Sequence, residues 1–211
     1  MTHWGMVIDL RQCIGCETCK HVCNDVNDPG WRRVVDMMME NYSKEQQKVF
    51  ITMGCMHCAA PPCLEVCPTG ATKHRSDGIV EIDQELCIGC GACILACPYK
   101  ARQITFEDKI SHQENDIQEN PGREKPDRIG VCSKCDFCVS RLDKGLKKEL
   151  KPGQDFEATP ICVRYCIAEA LHFGDLDDPE SNVSRLIREN KTARLNEDHR
   201  TDPSVFYILP N

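Results

Sequence analysis

Four short stretches of the chain hold almost all of its cysteines, at spacings suited to binding metal. The sequence has 17 cysteines in 211 residues, and all but Cys132 fall into four groups. Group one is Cys13, Cys16, Cys19 and Cys23; group two is Cys55, Cys58, Cys63 and Cys67; group three is Cys87, Cys90, Cys93 and Cys97; group four is Cys135, Cys138, Cys162 and Cys166.

The spacing within the groups predicts their local structure. Groups one and three read C-x2-C-x2-C-x3-C, group two lengthens its middle gap, and group four has 23 residues between its two pairs. Every group ends in C-x3-C, which places two thiols on one face of a helix. Each group is therefore predicted to be a loop that runs into a helical turn. Pro68 and Pro98 follow the last cysteines of groups two and three, as in bacterial ferredoxins.

The chemistry that fits this pattern is the [4Fe–4S] cluster, which takes one thiolate per iron. A C-x2-C-x2-C loop can supply three thiolates, and the x3 step carries the fourth cysteine onto a helix and away from that loop. Zinc usually takes two separate C-x2-C pairs, and disulfide frameworks suit short secreted chains with an even count. The tight triplets and the odd total favour iron–sulfur clusters, and sixteen cysteines at four per cluster predict four of them.

A repeated element precedes two of the cysteine loops. Ile8-Asp9 stands four residues before Cys13, and Ile82-Asp83 stands in the same place before Cys87. The stretch GIVEID alternates like a short strand, so each unit reads as strand, cysteine loop and short helix. Two such units make a two-cluster ferredoxin domain. We therefore predict an α+β fold of tandem bacterial-ferredoxin-like domains, with short strands, helices and irregular loops around four clusters.

Composition and charge limit the alternatives. Hydrophobic residues are 41% of the chain, but that figure includes the cysteines, and aromatic residues are only 6%. The apolar core is therefore thin, and metal is expected to help hold the fold together. A net charge of −7 gives no sign of a nucleic-acid partner, which would need a basic face. The sequence shows no secretory signal pattern and no apolar stretch long enough to span a membrane.

The chain resembles the four-cluster iron–sulfur subunits of molybdopterin oxidoreductases of the dimethyl sulfoxide reductase family, above all the polysulfide and thiosulfate reductase type. The resemblance covers nearly the whole chain. The stretches that carry it are MVIDLRQCIGCETCKHVC (6–23), CMHCAAPPCLEVCPTGA (55–71), CIGCGACILACPYKAR (87–102), KCDFCVSRLDKG (134–145) and FGDLDDPES (173–181).

The resemblance implies which cysteines share a cluster: group one pairs with group four, group two with group three, and the last cysteine of each group ligates the partner's cluster. Site 1 is then Cys13, Cys16, Cys19 and Cys166; site 2 is Cys135, Cys138, Cys162 and Cys23; site 3 is Cys55, Cys58, Cys63 and Cys97; site 4 is Cys87, Cys90, Cys93 and Cys67. Cys132 is predicted to be a buried thiol that binds no iron.

The same pairing divides the chain into units. Residues 1–52 with 103–178 are predicted to form the first ferredoxin-like unit and residues 53–102 the second. Residues 179–211 are predicted to form a C-terminal helix and a docking tail. Two polar stretches, 107–130 and 146–160, are interpreted as inserted loops that either face solvent or touch a partner.

Three further residues could tune a cluster or face a partner, but they are interpreted as having no such role. His57 is expected to be a structural or surface histidine. Lys100 and Arg102 are expected on the solvated surface.

The implied function is electron transfer without catalysis in this chain. The four clusters would carry electrons between a large molybdenum- or tungsten-pterin subunit and a quinone, a membrane-anchor subunit or a soluble carrier. Alternatives are a subunit of a formate dehydrogenase or hydrogenase complex and a free polyferredoxin. The chain is expected in the cytoplasm, or exported folded with a partner that bears a twin-arginine signal.

Overall fold

The structure is a computed structural model that describes residues 2–27, 30–37, 48–106 and 129–210. The strands are β1 (Trp4–Asp9), β2 (Arg33–Met37), β3 (Val49–Met53), β4 (Thr72–His74), β5 (Val80–Ile82), β6 (Gln103–Ile104), β7 (Cys132–Ser133), β8 (Leu171–Asp175), β9 (Thr192–Ala193) and β10 (Val205–Ile208). The helices are α1 (Thr18–Val26), α2 (Pro62–Glu65), α3 (Ala92–Ala96), α4 (Val139–Leu146), α5 (Ile161–Arg164) and α6 (Asn182–Glu189). Across these ranges, none of the helices combines the length and the apolar character needed to cross a bilayer.

A four-stranded sheet in the order β8-β1-β10-β9 forms the centre of the fold. Strand β1 pairs antiparallel with β8 and parallel with β10, and all six of its residues are buried. Apolar and β-branched residues suit a strand that is covered on both faces. Three antiparallel strand pairs, β2-β3, β4-β5 and β6-β7, complete the sheets of the described residues. The predicted mixture of short strands and helices is confirmed.

The two halves of the cysteine pattern sit on equivalent strand pairs. Strand β1 precedes Cys13 and pairs with β8, which follows Cys166. Strand β5 precedes Cys87 and pairs antiparallel with β4, which follows Cys67. In both cases the strand before a cysteine triplet pairs with the strand after another group's final cysteine. The division into two ferredoxin-like units stays a prediction.

The repeated aspartates turn the chain from strand into cysteine loop. The Asp9 carbonyl accepts from the Cys13 amide at 3.1 Å, and the Asp83 carbonyl accepts from the Cys87 amide at 3.1 Å. Each carboxylate also accepts a backbone N–H two residues later, from Arg11 and from Glu85. These are Asx-turn contacts, for which a short carboxylate is the right length. The repeat therefore has a local structural cause.

The C-terminal segment folds back onto the chain. Helix α6 matches the predicted helix, and Ser181 caps it by accepting from the Ser184 amide. Strand β10 lies in the central sheet beside β1. Between them, Thr201 and Asp202 accept backbone N–H groups from the group-two loop, and Ser204 donates to the His57 carbonyl at 2.8 Å. The tail therefore docks on this chain's own site 3 loop.

The structure describes the second predicted insertion in full and only residues 129 and 130 of the first. Residues 107–128 lie outside the described residues. In 146–160, a short 3₁₀ turn spans Phe156–Ala158, and Arg141 donates to the carbonyls of Phe156 and Thr159. Ala158 is buried and Phe156 is exposed, so this stretch is a surface loop anchored by its own contacts.

Candidate iron–sulfur sites

Short helices carry the third cysteine of each group, but the predicted pair of thiols on one helix is confirmed only in group one. Helices α2, α3 and α5 are only four or five residues long and end before the last cysteine of their groups. Cys19 and Cys23 both lie in α1, Cys63 in α2, Cys93 in α3 and Cys162 in α5. The preceding loops need glycine. Gly15 and Gly89 hold φ at +69° and +67°, which L side chains rarely adopt. A Cβ at Gly15 would also meet the Phe50 ring, and one at Gly89 would meet the Gly130 carbonyl.

Around site 1, the structure brings together cysteines that are far apart in the sequence. Burial raises the pKa of the Cys13 thiol, and charge on neighbouring Cys166 and Cys16 raises it further. Burial likewise raises the pKa of Cys19, with Cys162 and Cys166 among its charged neighbours. Cys16 is exposed, and its Sγ lies 3.4 Å from the Thr18 hydroxyl. The start of the chain therefore meets group four.

Site 2 is the most enclosed of the four. Its predicted cysteines, Cys23, Cys135, Cys138 and Cys162, are all buried. Burial raises the pKa of Cys135, and charge on Cys23 and Cys162 adds to that shift. Burial also raises the pKa of Cys138, with Cys162 its next largest influence. Cys23 therefore lies among group-four thiols, which is the neighbourhood that cross-ligation requires. The ligand assignment itself stays a prediction.

Site 3 gathers group two around the last cysteine of group three. Burial raises the pKa of Cys58 to about 12, and its charged neighbours include Cys55, Cys63 and Cys97. Those three, with Cys58, are the cysteines predicted for this site. Cys58 and Cys63 are buried, whereas Cys55 and Cys97 are half-buried.

A small surface pocket marks site 4, and Cys67, Cys87, Cys90 and Cys93 all line it. The last cysteine of group two thus faces the triplet of group three. Cys90 is exposed, so this pocket adjoins the surface. The four cysteines predicted for site 4 therefore border one pocket.

The surroundings of the thiols fit an anionic iron–sulfur cluster. Backbone amides of Trp31, Ala101 and Ala170 donate to the sulfurs of Cys23, Cys97 and Cys166 at 3.3–3.5 Å. Such hydrogen bonds stabilise thiolate charge and help set a cluster's reduction potential. Burial raises the pKa of seven of the sixteen thiols predicted as ligands, so iron would displace protons from them as it binds.

In the described ranges, no three His, Cys, Asp or Glu side chains converge closely enough to hold a single metal ion.

An aromatic contact joins the loops of sites 2 and 3. The His57 ring, inside CMHC, stacks on the Phe137 ring, inside CDFC, with centroids 3.7 Å apart. His57 is fully buried and its Nδ1 accepts from the Val80 amide. Burial, with Lys134 and Arg32 nearby, holds the pKa of His57 well below its usual value. Of the two expected places for His57, structural or surface, its burial shows the first, and the stack places it between the loops of sites 2 and 3.

Cys132 is buried, as predicted, but its neighbours belong to site 4 rather than to group four. Its Sγ lies 3.5 Å from the Cys93 Sγ, and its amide donates to the Cys87 Sγ at 3.4 Å. The Cys93 Sγ donates to the Cys132 Sγ, and the Cys132 Sγ donates to the Ser133 carbonyl at 3.8 Å. The contact lowers the pKa of Cys93 and raises that of Cys132. Its predicted lack of iron binding stays a prediction.

Two buried arginines lie among the thiols, and sequence reasoning did not identify either correctly. Arg102 was expected on the surface, but only 6% of it is exposed, and it donates to the Cys63 Sγ at 3.0 Å. The expectation of a solvated Arg102 is wrong because the chain after Cys97 turns inward beside site 3. Arg32, also 6% exposed, was not among the residues that the sequence pattern indicated. The sequence feature that could have indicated both arginines is their position, because each one follows soon after the last cysteine of its group.

Comparison with known proteins agrees with this geometry. Residues 46–115 match the family model described as "4Fe-4S dicluster domain", and that range contains groups two and three. The chain is 37% identical, over 99% of its own length and 79% of the relative's, to a protein of Halobacterium salinarum that is assigned as the iron–sulfur subunit of a dimethyl sulfoxide reductase.

Two further relatives belong to other reductases. The chain is 39% identical to a selenate reductase subunit of Mesobacillus selenatarsenatis, over 97% of this chain and 71% of the relative. It is 35% identical to the arsenate respiratory reductase iron–sulfur subunit of Shewanella sp. strain ANA-3, over 97% of this chain and 95% of the relative.

Proposed function

The chain belongs to the family of iron–sulfur subunits of molybdopterin oxidoreductases, and from that premise we propose that sites 1 to 4 hold four [4Fe–4S] clusters which relay electrons in numerical order. As in its relatives, the chain is an electron-transfer subunit, and catalysis belongs to another chain. The clusters supply reversible one-electron chemistry when bound. The protein positions them and adjusts their potentials through charge, hydrogen bonds and solvent access.

The main support for an electron relay is that the cysteines of the four sites differ in solvent exposure. Sites 1 and 4 each have one exposed cysteine, Cys16 and Cys90, whereas all four cysteines of site 2 are buried. Electrons that enter from a partner need a cluster near the surface, and the inner clusters need protection from solvent. The His57–Phe137 stack supports a connection between sites 2 and 3 at the middle of the series.

The surfaces beside the two outer sites suit protein partners. Ile14, which follows Cys13, is 61% exposed, and Ile88, which follows Cys87, is 67% exposed. Ile167 beside site 1 and Leu86 beside site 4 are also exposed. Exposed apolar residues grouped at a functional site are typical of interaction surfaces. We propose that one end contacts a large molybdenum- or tungsten-pterin subunit and the other a membrane-anchor subunit, a quinone or a soluble carrier.

Native purification tests this proposal. Anaerobic isolation is expected to yield a complex with a much larger chain, molybdenum or tungsten, and four [4Fe–4S] clusters per copy of this subunit. Ile14→Asp and Ile88→Asp form a matched pair, because each adds one charge at one end. One of them should release the large chain while the other retains it. A free monomer that exchanges electrons with many acceptors would instead identify a polyferredoxin.

A further inference from the structure

The two buried arginines occupy equivalent places in the two halves of the cysteine pattern. The residue before Arg32 is Trp31, whose amide donates to the Sγ of Cys23 at 3.4 Å. The residue before Arg102 is Ala101, whose amide donates to the Sγ of Cys97 at 3.5 Å. Both sulfurs belong to cysteines that are proposed to cross to the neighbouring cluster. Strands β2 and β6 begin at the residue after each arginine.

Each guanidinium lies near the cysteines of two predicted cluster sites. Arg102 donates from Nη2 to the Cys63 Sγ of site 3 at 3.0 Å, and it also lines the pocket of site 4. A Cβ built on Gly54, just before the first cysteine of site 3, would lie 3.9 Å from the Arg32 Cζ and 3.7 Å from the Cys135 Cβ of site 2. Arg32 also has Cys19 of site 1 among its charged neighbours.

These arginines are compensated by sulfur rather than by carboxylates. Burial acts to lower the pKa of Arg32, but the thiolates of Cys162, Cys135 and Cys19 outweigh it. At Arg102 the thiolates of Cys63 and Cys93 oppose burial in the same way. Among the described residues, neither guanidinium forms an ion pair with Asp or Glu. In both, the Nε–H is buried without a hydrogen-bond partner. A buried charge is costly unless it is paired, so these positions indicate a specific anionic partner.

We propose that Arg32 and Arg102 are positioning residues, one in each ferredoxin-like unit, whose fixed positive charge raises the reduction potentials of the two clusters beside it. A thiolate-ligated [4Fe–4S] cluster is an anion, and reduction adds one electron without making or breaking a bond. A nearby positive charge therefore stabilises the reduced state more than the oxidised state. One charge shared by two clusters also offsets their mutual repulsion. Arginine suits this role because it stays protonated.

The inference rests on the proposed clusters and is tested by EPR-monitored redox titration of the complete protein. Signals are first assigned to the two units through Cys23→Ser and Cys97→Ser. Arg102→Gln should then lower the reduction potentials of sites 3 and 4 by at least about 59 mV. For one electron, that shift is a tenfold change in the equilibrium constant for reduction. Arg32→Gln should do the same for sites 1 and 2. Arg102→Lys and Arg32→Lys keep the charge and should shift the potentials less than half as far.

Arg188→Gln is the matched control, since Arg188 is an exposed arginine on α6 that bonds the Pro179 carbonyl. It should leave all four potentials in place. Unshifted potentials in the Arg102 and Arg32 variants with full iron content would overturn the inference, as would equal shifts in the Lys and Gln variants. Loss of clusters from the Lys variants would also overturn it, because the geometry rather than the charge would then matter. If the native protein lacks four cubanes, it is the proposed function that fails.

Discussion

Cys23→Ser tests whether neighbouring cysteines serve different clusters. Cys23 lies in α1, one helical turn after Cys19, yet its charged neighbour is Cys162 of group four. It is 4% exposed, and its Sγ accepts from the Trp31 amide at 3.4 Å. Serine keeps the size nearly unchanged but is a poor iron ligand. The damage should therefore fall on site 2, the cluster also held by Cys135, Cys138 and Cys162.

The size of the effect follows from the ligand count. Sixteen cysteines at four per cluster and four irons per cluster give sixteen irons in the native protein. Loss of one ligand should remove between one iron, if a three-iron cluster remains, and four, if site 2 empties. Iron analysis and EPR before and after reduction distinguish these outcomes.

Cys19→Ser is the matched control because it makes the same change on the same helix. Cys19 is a predicted ligand of site 1, so this variant should alter a different EPR signal from Cys23→Ser. If both variants damage the same cluster, the four cysteines of group one bind together and the cross-ligation is refuted.

Four other perturbations probe the surroundings of the sites. Cys132→Ser should keep all sixteen irons and alter only the EPR signal of site 4, because Cys132 contacts Cys93; loss of a cluster would make it a ligand. Phe137→Ala should destabilise the protein by about 3–5 kcal/mol and Phe137→Leu by about 1 kcal/mol, because Phe137 is only 1% exposed. The half-life of the cluster absorbance on heating should therefore be shorter in Phe137→Ala than in Phe137→Leu. Asp9→Asn should cost about 1–2 kcal/mol, because the partner Arg11 is partly exposed. Burial acts to raise the pKa of Asp9, but hydrogen bonds from Arg11 lower it overall. The stabilisation of the fold by the ionised Asp9 is therefore present above the usual pKa of about 4. It is lost only as the pH falls through the lowered pKa. The cost should therefore be the same at about pH 6 and pH 9, and a cost that disappears within that window would contradict the assignment. Removal of iron by a chelator should abolish the folded far-UV circular dichroism spectrum, whereas a stable apo fold would contradict the view that metal completes the core.

Local patterns predicted the local structure well. The C-x3-C spacing predicted the short helices, although only α1 extends to the last cysteine of its group. The repeated Ile-Asp predicted strands before Cys13 and Cys87, which are β1 and β5. These features depend on hydrogen bonds between residues close in sequence, so a short window contains the information. The thin apolar core was also predictable, and the main buried cluster includes Cys19, Cys135 and Cys162.

Apart from the cysteine neighbourhoods that the family resemblance implied, long-range contacts could not be predicted from the sequence. Strand β10 pairs in parallel with β1, nearly 200 residues earlier in the chain, and no local signal specifies that partner. The burial of Arg102 depends on the approach of Cys63 and Thr72, which only the folded chain brings together. The stacking of His57 on Phe137 likewise joins two loops that resemble surface loops when each is considered alone.

Iron and acid-labile sulfide content of the anaerobically isolated protein tests the central claim most directly. The account predicts sixteen of each per chain, from four clusters on sixteen cysteines, with Cys132 excluded. Tightly bound zinc in place of iron, or half that amount of iron and sulfide in fully loaded protein, would contradict it.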